Sequence, residues 1–291
     1  PLAEQEKIAQ ILSVWDKGIS VLKSLIEAKT KRKKALMQRL LTPPTHPLTP
    51  SAREGEQKSH HDTKAPPLAG GVGVGYSHTK NNRNDDKVLD CHDLTASNLA
   101  MTEKNIKAKQ TLRFAEFTDK WQEMRLGDII FATTSNLTLQ NIDDKGEFPV
   151  FGANGLIGYI NFYHKENECL GVVKDGAGVG RTYFLPKKSS ALNTLQYIET
   201  NQADIKFVYY LFLNIKWTNW IKGSTIPHIF FNDYKNLIIK LPTLAEQKKI
   251  AQVLSACDKE IELLKSKFQC LKTQKKGLMQ RLLNGKVRVK I

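Results

Sequence analysis

Two stretches of the chain place apolar residues at steps that alternate four and three. In residues 2–41 they fall at Ile8, Leu12, Trp15, Ile19, Leu22 and Ile26, and again at Leu36 and Leu40. In residues 244–283 they fall at Ile250, Leu254, Cys257, Ile261, Leu264, Phe268 and Leu271, then at Leu278 and Leu282. That spacing is the narrow seam of a coiled coil, not the broader stripe of a helix lying on a globular surface. At 1.5 Å per residue, each helix reaches roughly 60 Å. The two stretches are copies: the offset is a constant 242 without a gap, and 24 of 40 aligned positions are identical. Shared helical composition does not give that, and two copies of one helix around a different body point to pseudo-twofold assembly. Each seam needs a partner helix. The other copy is the expected one, with separate packing of both helices on the intervening body as the alternative. Lys29 and Lys33 interrupt the first seam and Lys275 the second. A buried, unpaired ammonium is costly, so these positions are expected to splay apart, meet solvent or face acidic side chains.

Between the copies the period is lost and then changes. Residues 42–83 are rich in Pro, Gly, Ser, Thr, His and Asn, which reads as an irregular or disordered linker. With a short helix expected somewhere in 84–110, this connection runs over 42–110. Gly71-Val72-Gly73-Val74-Gly75 follows prolines rather than a strand and lacks Gly-Lys-Ser/Thr, so it is not read as a nucleotide loop. His60-His61-Asp62 is read as part of an exposed polar tract, and no metal site is assigned. From Thr111 short apolar runs alternate with glycine, at 126–131, 148–151, 158–163, 169–173, 182–185 and 195–198. These predict a β-rich domain, and Asp204-Ile205-Lys206-Phe207-Val208 opens a helix over 204–217 packed against it. About 130 residues suffice for a core of its own. The expected fold class is α+β, with helices over 1–41 and 242–291 flanking one globular domain over 111–241.

Charge follows the same division. Of the net +15, residues 2–41 and 244–291 together carry +13, and the globular domain is nearly neutral. Basic helices favour a polyanionic partner such as nucleic acid, although a solvated lysine-rich face explains a run like Lys29–Lys34 equally well. Four scattered cysteines (Cys91, Cys169, Cys257, Cys270) without a Cys-x-x-Cys pair suggest a reducing compartment and a cytoplasmic protein, with neither disulfides nor zinc. No apolar run is long enough to span a membrane, and no signal peptide is visible.

Five ordered elements of the central region resemble a known family. They are Trp121-Gln122-Glu123-Met124-Arg125-Leu126-Gly127-Asp128-Ile129, Gly152-Ala153-Asn154-Gly155, and Asp175-Gly176-Ala177-Gly178-Val179-Gly180. Asn193-Thr194-Leu195-Gln196-Tyr197 follows, and Gly223-Ser224-Thr225-Ile226-Pro227-His228-Ile229 leads to Leu241-Pro242-Thr243-Leu244-Ala245-Glu246-Gln247 at the head of the second helix. Together with the helix repeat they resemble the DNA-specificity (S) subunit of Type I restriction–modification enzymes. The resemblance implies an antiparallel coiled coil that sets the distance between two half-sites, and a globular part that is a target-recognition domain. It also implies a non-catalytic chain that directs methyltransferase (M) and restriction/translocase (R) subunits to a bipartite site on double-stranded DNA, in defence against foreign DNA. S-adenosylmethionine, ATP and Mg are then expected on those partners, and no cofactor on this chain. Such a subunit alternates two recognition domains with two helices, whereas this sequence holds both helices and one recognition domain. The sequence is therefore expected to be the C-terminal part of such a subunit or a truncated one, with Pro1-Leu2 read as the stump of a lead-in similar to Lys240-Leu241-Pro242-Thr243. The alternative function is an assembly fragment that binds M subunits without recognising sequence. A homodimer with two identical recognition domains is a further arrangement.

The residues agree with a non-catalytic role: there is no Asn-Pro-Pro-Tyr-type methyltransferase motif and no Walker Gly-Lys-Ser/Thr. Recognition needs polar side chains on loops that reach base edges, with phosphate contacts fixing register. Three loops qualify. Asn154 and Gly155, after Ala153, offer an amide for adenine on a backbone that can approach closely. Lys174, Asp175 and the glycines up to Arg181 form a second loop, in which Arg181 suits guanine or a phosphate. Lys222, Ser224, Thr225 and His228 form a third, just after Trp217 and Trp220. The competing explanation is structural: these glycines would serve only tight turns, and Ser224–Pro227 a domain-closing bend.

Overall fold

The computed structural model describes residues 2–43, 112–143 and 145–290. The chain divides into two units, and all described residues belong to the one formed by 1–45 and 106–291. Apart from Thr42 and Pro43, the predicted linker lies outside the described residues, as do Gly71–Gly75 and His60-His61-Asp62.

The first repeat is one continuous helix, α1 (Leu2–Leu40), and the second is α5 (Leu244–Leu283). They pair with each other, antiparallel: Lys29 meets Glu260 at 2.6 Å near one end, and Lys275 meets Asp16 at 2.5 Å toward the other. None of the twelve seam residues from Ile8 to Ile26 and from Ile250 to Phe268 is fully exposed, and Leu22, Ile250, Leu254 and Ile261 are buried. The lysines that break the seam face carboxylates, Lys33 pairing with Asp258 at 2.5 Å. That arrangement satisfies each ammonium without burying it alone.

The globular part is built from short strands. β1 (Gln122–Arg125) pairs antiparallel with β9 (Ile238–Leu241) in a ribbon at the entrance to α5. β2 (Ile130–Thr134), β5 (Cys169–Val173), β6 (Thr182–Leu185) and β8 (Leu195–Thr200) form an antiparallel sheet in the order β2-β8-β5-β6. β3 (Phe148–Gly152) lies between β4 (Gly155–Ile160), antiparallel to it, and the two-residue β7 (Ser190–Ala191), parallel to it. Every residue of β5 is buried, which is why this strand reads as an unbroken apolar run rather than an alternating one.

The run at 126–131 departs from the expected strand. Leu126–Ile129 forms a single helical turn, α2, and only Ile130 onward is extended. Leu126 and Ile129 are both buried, three apart on one face of that turn, and the Asp128 carboxylate accepts from the Arg125 backbone N–H at 3.3 Å. The helix expected over 204–217 is α3 (Ile205–Asn214), capped by Asp204 accepting from the Phe207 N–H at 2.9 Å, followed by a separate turn at Trp217–Asn219. The remaining helical turn, α4, is Phe231–Tyr234.

The sheet, α3 and the adjoining ends of α1 and α5 share one core in which Leu40, Phe207, Phe212, Tyr234 and Leu254 are almost wholly buried. A polar network crosses the same junction. The Tyr210 hydroxyl donates to Asp258 at 2.8 Å, Asp258 accepts from Lys33, and Lys33 lies 5.2 Å from the Tyr210 ring centre. Glu246 and Gln247 of the repeated Leu-Ala-Glu-Gln are buried at the head of α5. Arg113 grips Glu246 through two bonds of 2.9 Å, Trp121 Nε1 donates to it at 3.2 Å, and Gln247 accepts from the Asp204 N–H at 2.9 Å. The opposite end repeats this clasp: Arg288 grips Glu4, which lies 242 positions before Glu246, through bonds of 2.7 and 2.8 Å. Even the backbone matches, Leu112 N–H donating to Arg39 at 3.3 Å and Val287 N–H to Arg281 at 3.2 Å.

Candidate nucleic-acid interface

All three candidate loops lie at one end of the four-stranded sheet, where β5 terminates. Ala153 and Asn154 form the two-residue turn between β3 and β4, which needs a left-handed residue to close; Gly155 supplies it with φ +99°. The Lys174–Arg181 loop closes over the end of β5 through Val173 N–H to Arg181 O and Gly180 N–H to Val173 O, each at 2.9 Å. Gly180 has φ +84°, and a Cβ there would stand 2.5 Å from the Trp217 ring, so the loop is seated directly on the indole. The third loop closes where Lys222 and His228 exchange backbone bonds of 2.9 and 2.8 Å.

The loops are stitched to one another. Tyr183 donates its hydroxyl to the Ala153 carbonyl at 2.8 Å, fixing the first turn to the strand that leaves the second loop. Gly176 N–H donates to Pro227 O at 2.8 Å and Ile229 N–H to Lys174 O at 2.9 Å, joining the second loop to the third. Side chains bridge as well: Arg181 Nη1 donates to Asn154 Oδ1 at 3.1 Å. Lys174 is paired with Asp175, and Lys222 with Asp233 at 2.8 Å. Two of the three candidate cations therefore have their charge offset, whereas the partner of Arg181 is a neutral amide.

Arg181, Asn154, Lys222, Ser224 and Thr225 are exposed, and Gly155, Lys174 and His228 are half-buried. The Asn154 oxygen is engaged by Arg181, so the amide is not poised for the two-point adenine contact; it orients a guanidinium whose remaining donors suit guanine or phosphate. Tyr183, Trp217 and Asp233 support these loops, a role that their places in the sequence do not by themselves disclose. Only Trp217 carried a signal, a large aromatic just ahead of the third loop; the pairing of Asp233 with Lys222 depends on the fold.

Two clefts open elsewhere on the globular part. One of about 440 Å³ is lined by Phe131, Glu199, Asp204, Leu244 and Lys248 among others. The other, about 300 Å³, is lined by Thr133, Thr134, Ser135, Asn136, His164, Lys165 and Tyr197. In the second, burial and then the neighbouring Lys165 push the His164 pKa below its ordinary value. None of the eight candidate residues lines either cleft. Among the described residues no three His, Cys, Asp or Glu side chains are grouped as metal ligands, and no helix is long and apolar enough to cross a membrane.

An exposed surface of polar loops, carried on a sheet and joined to an antiparallel helical scaffold, fits the class of a recognition module. The model of the Type I restriction modification DNA specificity domain matches residues 118–273, and the chain belongs to that family. The specificity subunit of the type I restriction enzyme EcoDI of Escherichia coli is 27% identical over 173 residues, covering 57% of this chain and 38% of that protein. The type I restriction enzyme MjaVIII specificity subunit of Methanocaldococcus jannaschii is 24% identical over 307 residues, covering all of this chain and 61% of its own length. The chain thus spans between about two-fifths and three-fifths of these relatives. Among solved structures, the S subunit of a Type I restriction–modification system from M. genitalium has the same fold, with a TM-score of 0.55 over 99% of this chain and 62% of its own, at 17% identity.

Proposed function

We propose that this chain reads one part of a bipartite DNA site and scaffolds a Type I restriction–modification complex on it. The M subunits, carrying S-adenosylmethionine, and the R subunits, using ATP and Mg, would supply the chemistry, and this chain none. The observation that carries the reading is the convergence of three polar loops on one surface, with Arg181 held by a neutral amide and exposed. Arg181 reads a guanine edge, while Lys174, Lys222, Ser224 and Thr225 meet phosphates or base edges around it. A nearly neutral recognition domain gives weak non-specific attraction, so stable binding relies on M subunits enclosing the duplex.

The test is methylation mapping of host DNA with the chain co-expressed with its methyltransferase partner. A bipartite adenine-methylated motif that depends on this chain supports the reading, and Arg181→Ala should cost one guanine position about 1–3 kcal/mol of discrimination. A stable complex without any methylated motif favours the second reading, an assembly fragment, which rests on the single recognition domain in this sequence. A motif with two identical halves would indicate a homodimer.

A further inference from the structure

One exposed side chain on the loop surface is not accounted for by packing. Ile226 stands on the 222–228 loop with 64% of its surface exposed, between the exposed Thr225 and the half-buried Pro227, and belongs to none of the hydrophobic core clusters. A single exposed isoleucine is ordinary on a protein surface. This one stands on a loop whose backbone is hydrogen-bonded on both sides of it. The exchange of bonds between Lys222 and His228 closes the loop beneath it. Gly223, with φ +85°, lets the chain turn so tightly that a Cβ there would stand 2.4 Å from the Ile226 carbonyl oxygen. His228 Nδ1 lies 3.2 Å from that same oxygen, and the next carbonyl, of Pro227, is held by the Gly176 N–H at 2.8 Å. The backbone around Ile226 is therefore engaged by both the second and third loops, and its aliphatic side chain is exposed on the same loop as the exposed Lys222, Ser224 and Thr225.

The partner must offer an isolated apolar group amid polar and anionic surroundings. In the major groove of duplex DNA that group is the 5-methyl of thymine, the one apolar feature among the base edges. We infer that Ile226 contacts a thymine methyl, so that the recognised sequence contains a thymine read by shape and apolar contact rather than by hydrogen bonds. The inference rests on the reading of these loops as the DNA-contacting surface. It adds a specificity-determining residue to the polar set.

The test uses the complex of the full chain with its methyltransferase partner and duplexes bearing the mapped site. Each thymine in turn is replaced by deoxyuridine, which removes only the methyl. Wild type should lose about four-fold in affinity at one position, the worth of one methyl group taken out of water. Ile226→Ala should lose at least as much on the natural site, become indifferent to uracil at that position, and melt at the wild-type temperature. If wild type binds the site specifically yet ignores every uracil, or if Ile226→Ala keeps the uracil effect, the inference is overturned. If wild type shows no preference for the site at all, the reading of the loops falls first and the inference with it.

Discussion

The two clasps offer the same chemistry at two burials, and their comparison tests how this fold is held together. Arg113 and Glu246 are 8% and 1% exposed as side chains, whereas Arg288 is 72% exposed against 11% for Glu4. Arg113→Met leaves a buried carboxylate that keeps the Trp121 N–H at 3.2 Å and loses both guanidinium bonds. Removing one member of a buried pair costs about 3–5 kcal/mol, which for a chain of this size lowers the melting temperature by on the order of 10 °C. The double variant Arg113→Met, Glu246→Met removes the stranded charge too, and should recover much of that loss. Arg288→Met breaks a pair with one member in water and should leave the denaturation midpoint where it is. Urea unfolding followed by tryptophan fluorescence, with circular dichroism for the helices, measures all three. Equal losses at the two clasps, or strictly additive losses in the double variant, would refute the argument from burial.

Other expectations follow from single positions. Ile261→Asp places a carboxylate at a seam position only 6% exposed, and should unpair the coiled coil, seen as lost helicity in circular dichroism; unchanged helicity would contradict the role of the seam. Burial raises the Cys169 thiol to about 12, so iodoacetamide at pH 8 should modify the exposed Cys270 and spare Cys169 until the chain unfolds, and peptide mapping that finds Cys169 labelled in the native protein would be the contrary result. The His164 pKa is lowered, first by burial and then by Lys165. The unfolded chain then binds a proton that the folded chain resists, so this contribution to stability is full above the ordinary histidine pKa and declines as pH falls through it. An NMR titration midpoint at or above the ordinary value would refute it.

What the sequence discloses depends on the range over which each signal acts. The seams were legible because a period survives over forty residues whatever the partner, and all twelve seam positions lie where pairing excludes full exposure. The mates of Lys29, Lys33 and Lys275 were not, since Glu260, Asp258 and Asp16 become neighbours only through the register between helices. Strand β5 was plain from its apolar run, but Leu126-Gly127-Asp128-Ile129, also apolar at both ends around a glycine, forms a helical turn, because short apolar runs fit either state. The ribbon of β1 with β9 left little trace, as Gln122–Arg125 is polar and mostly exposed. Among the candidate site residues, glycines and polar side chains marked the loops, yet the bond from Arg181 to Asn154 joins positions 27 apart. Ile226 lies in the motif at 223–229, yet its type suggests no contact: an isoleucine draws attention in a core and none on a loop.

The constant offset of 242 residues between the paired helices also sets a time. Helix α1 is synthesised first, and its seam has no mate until α5 leaves the ribosome. At about 5–20 residues per second, that wait is on the order of 10–50 s. Throughout it the apolar line from Ile8 to Leu40 is open to any other helix in reach, including the α1 of a neighbouring nascent chain. The strands of the recognition domain pair within 112–241, but its core is completed only when Leu40 of α1 and Ile250 and Leu254 of α5 pack against it. The arrival of α5 is thus the step at which pairing within a chain competes with pairing between chains.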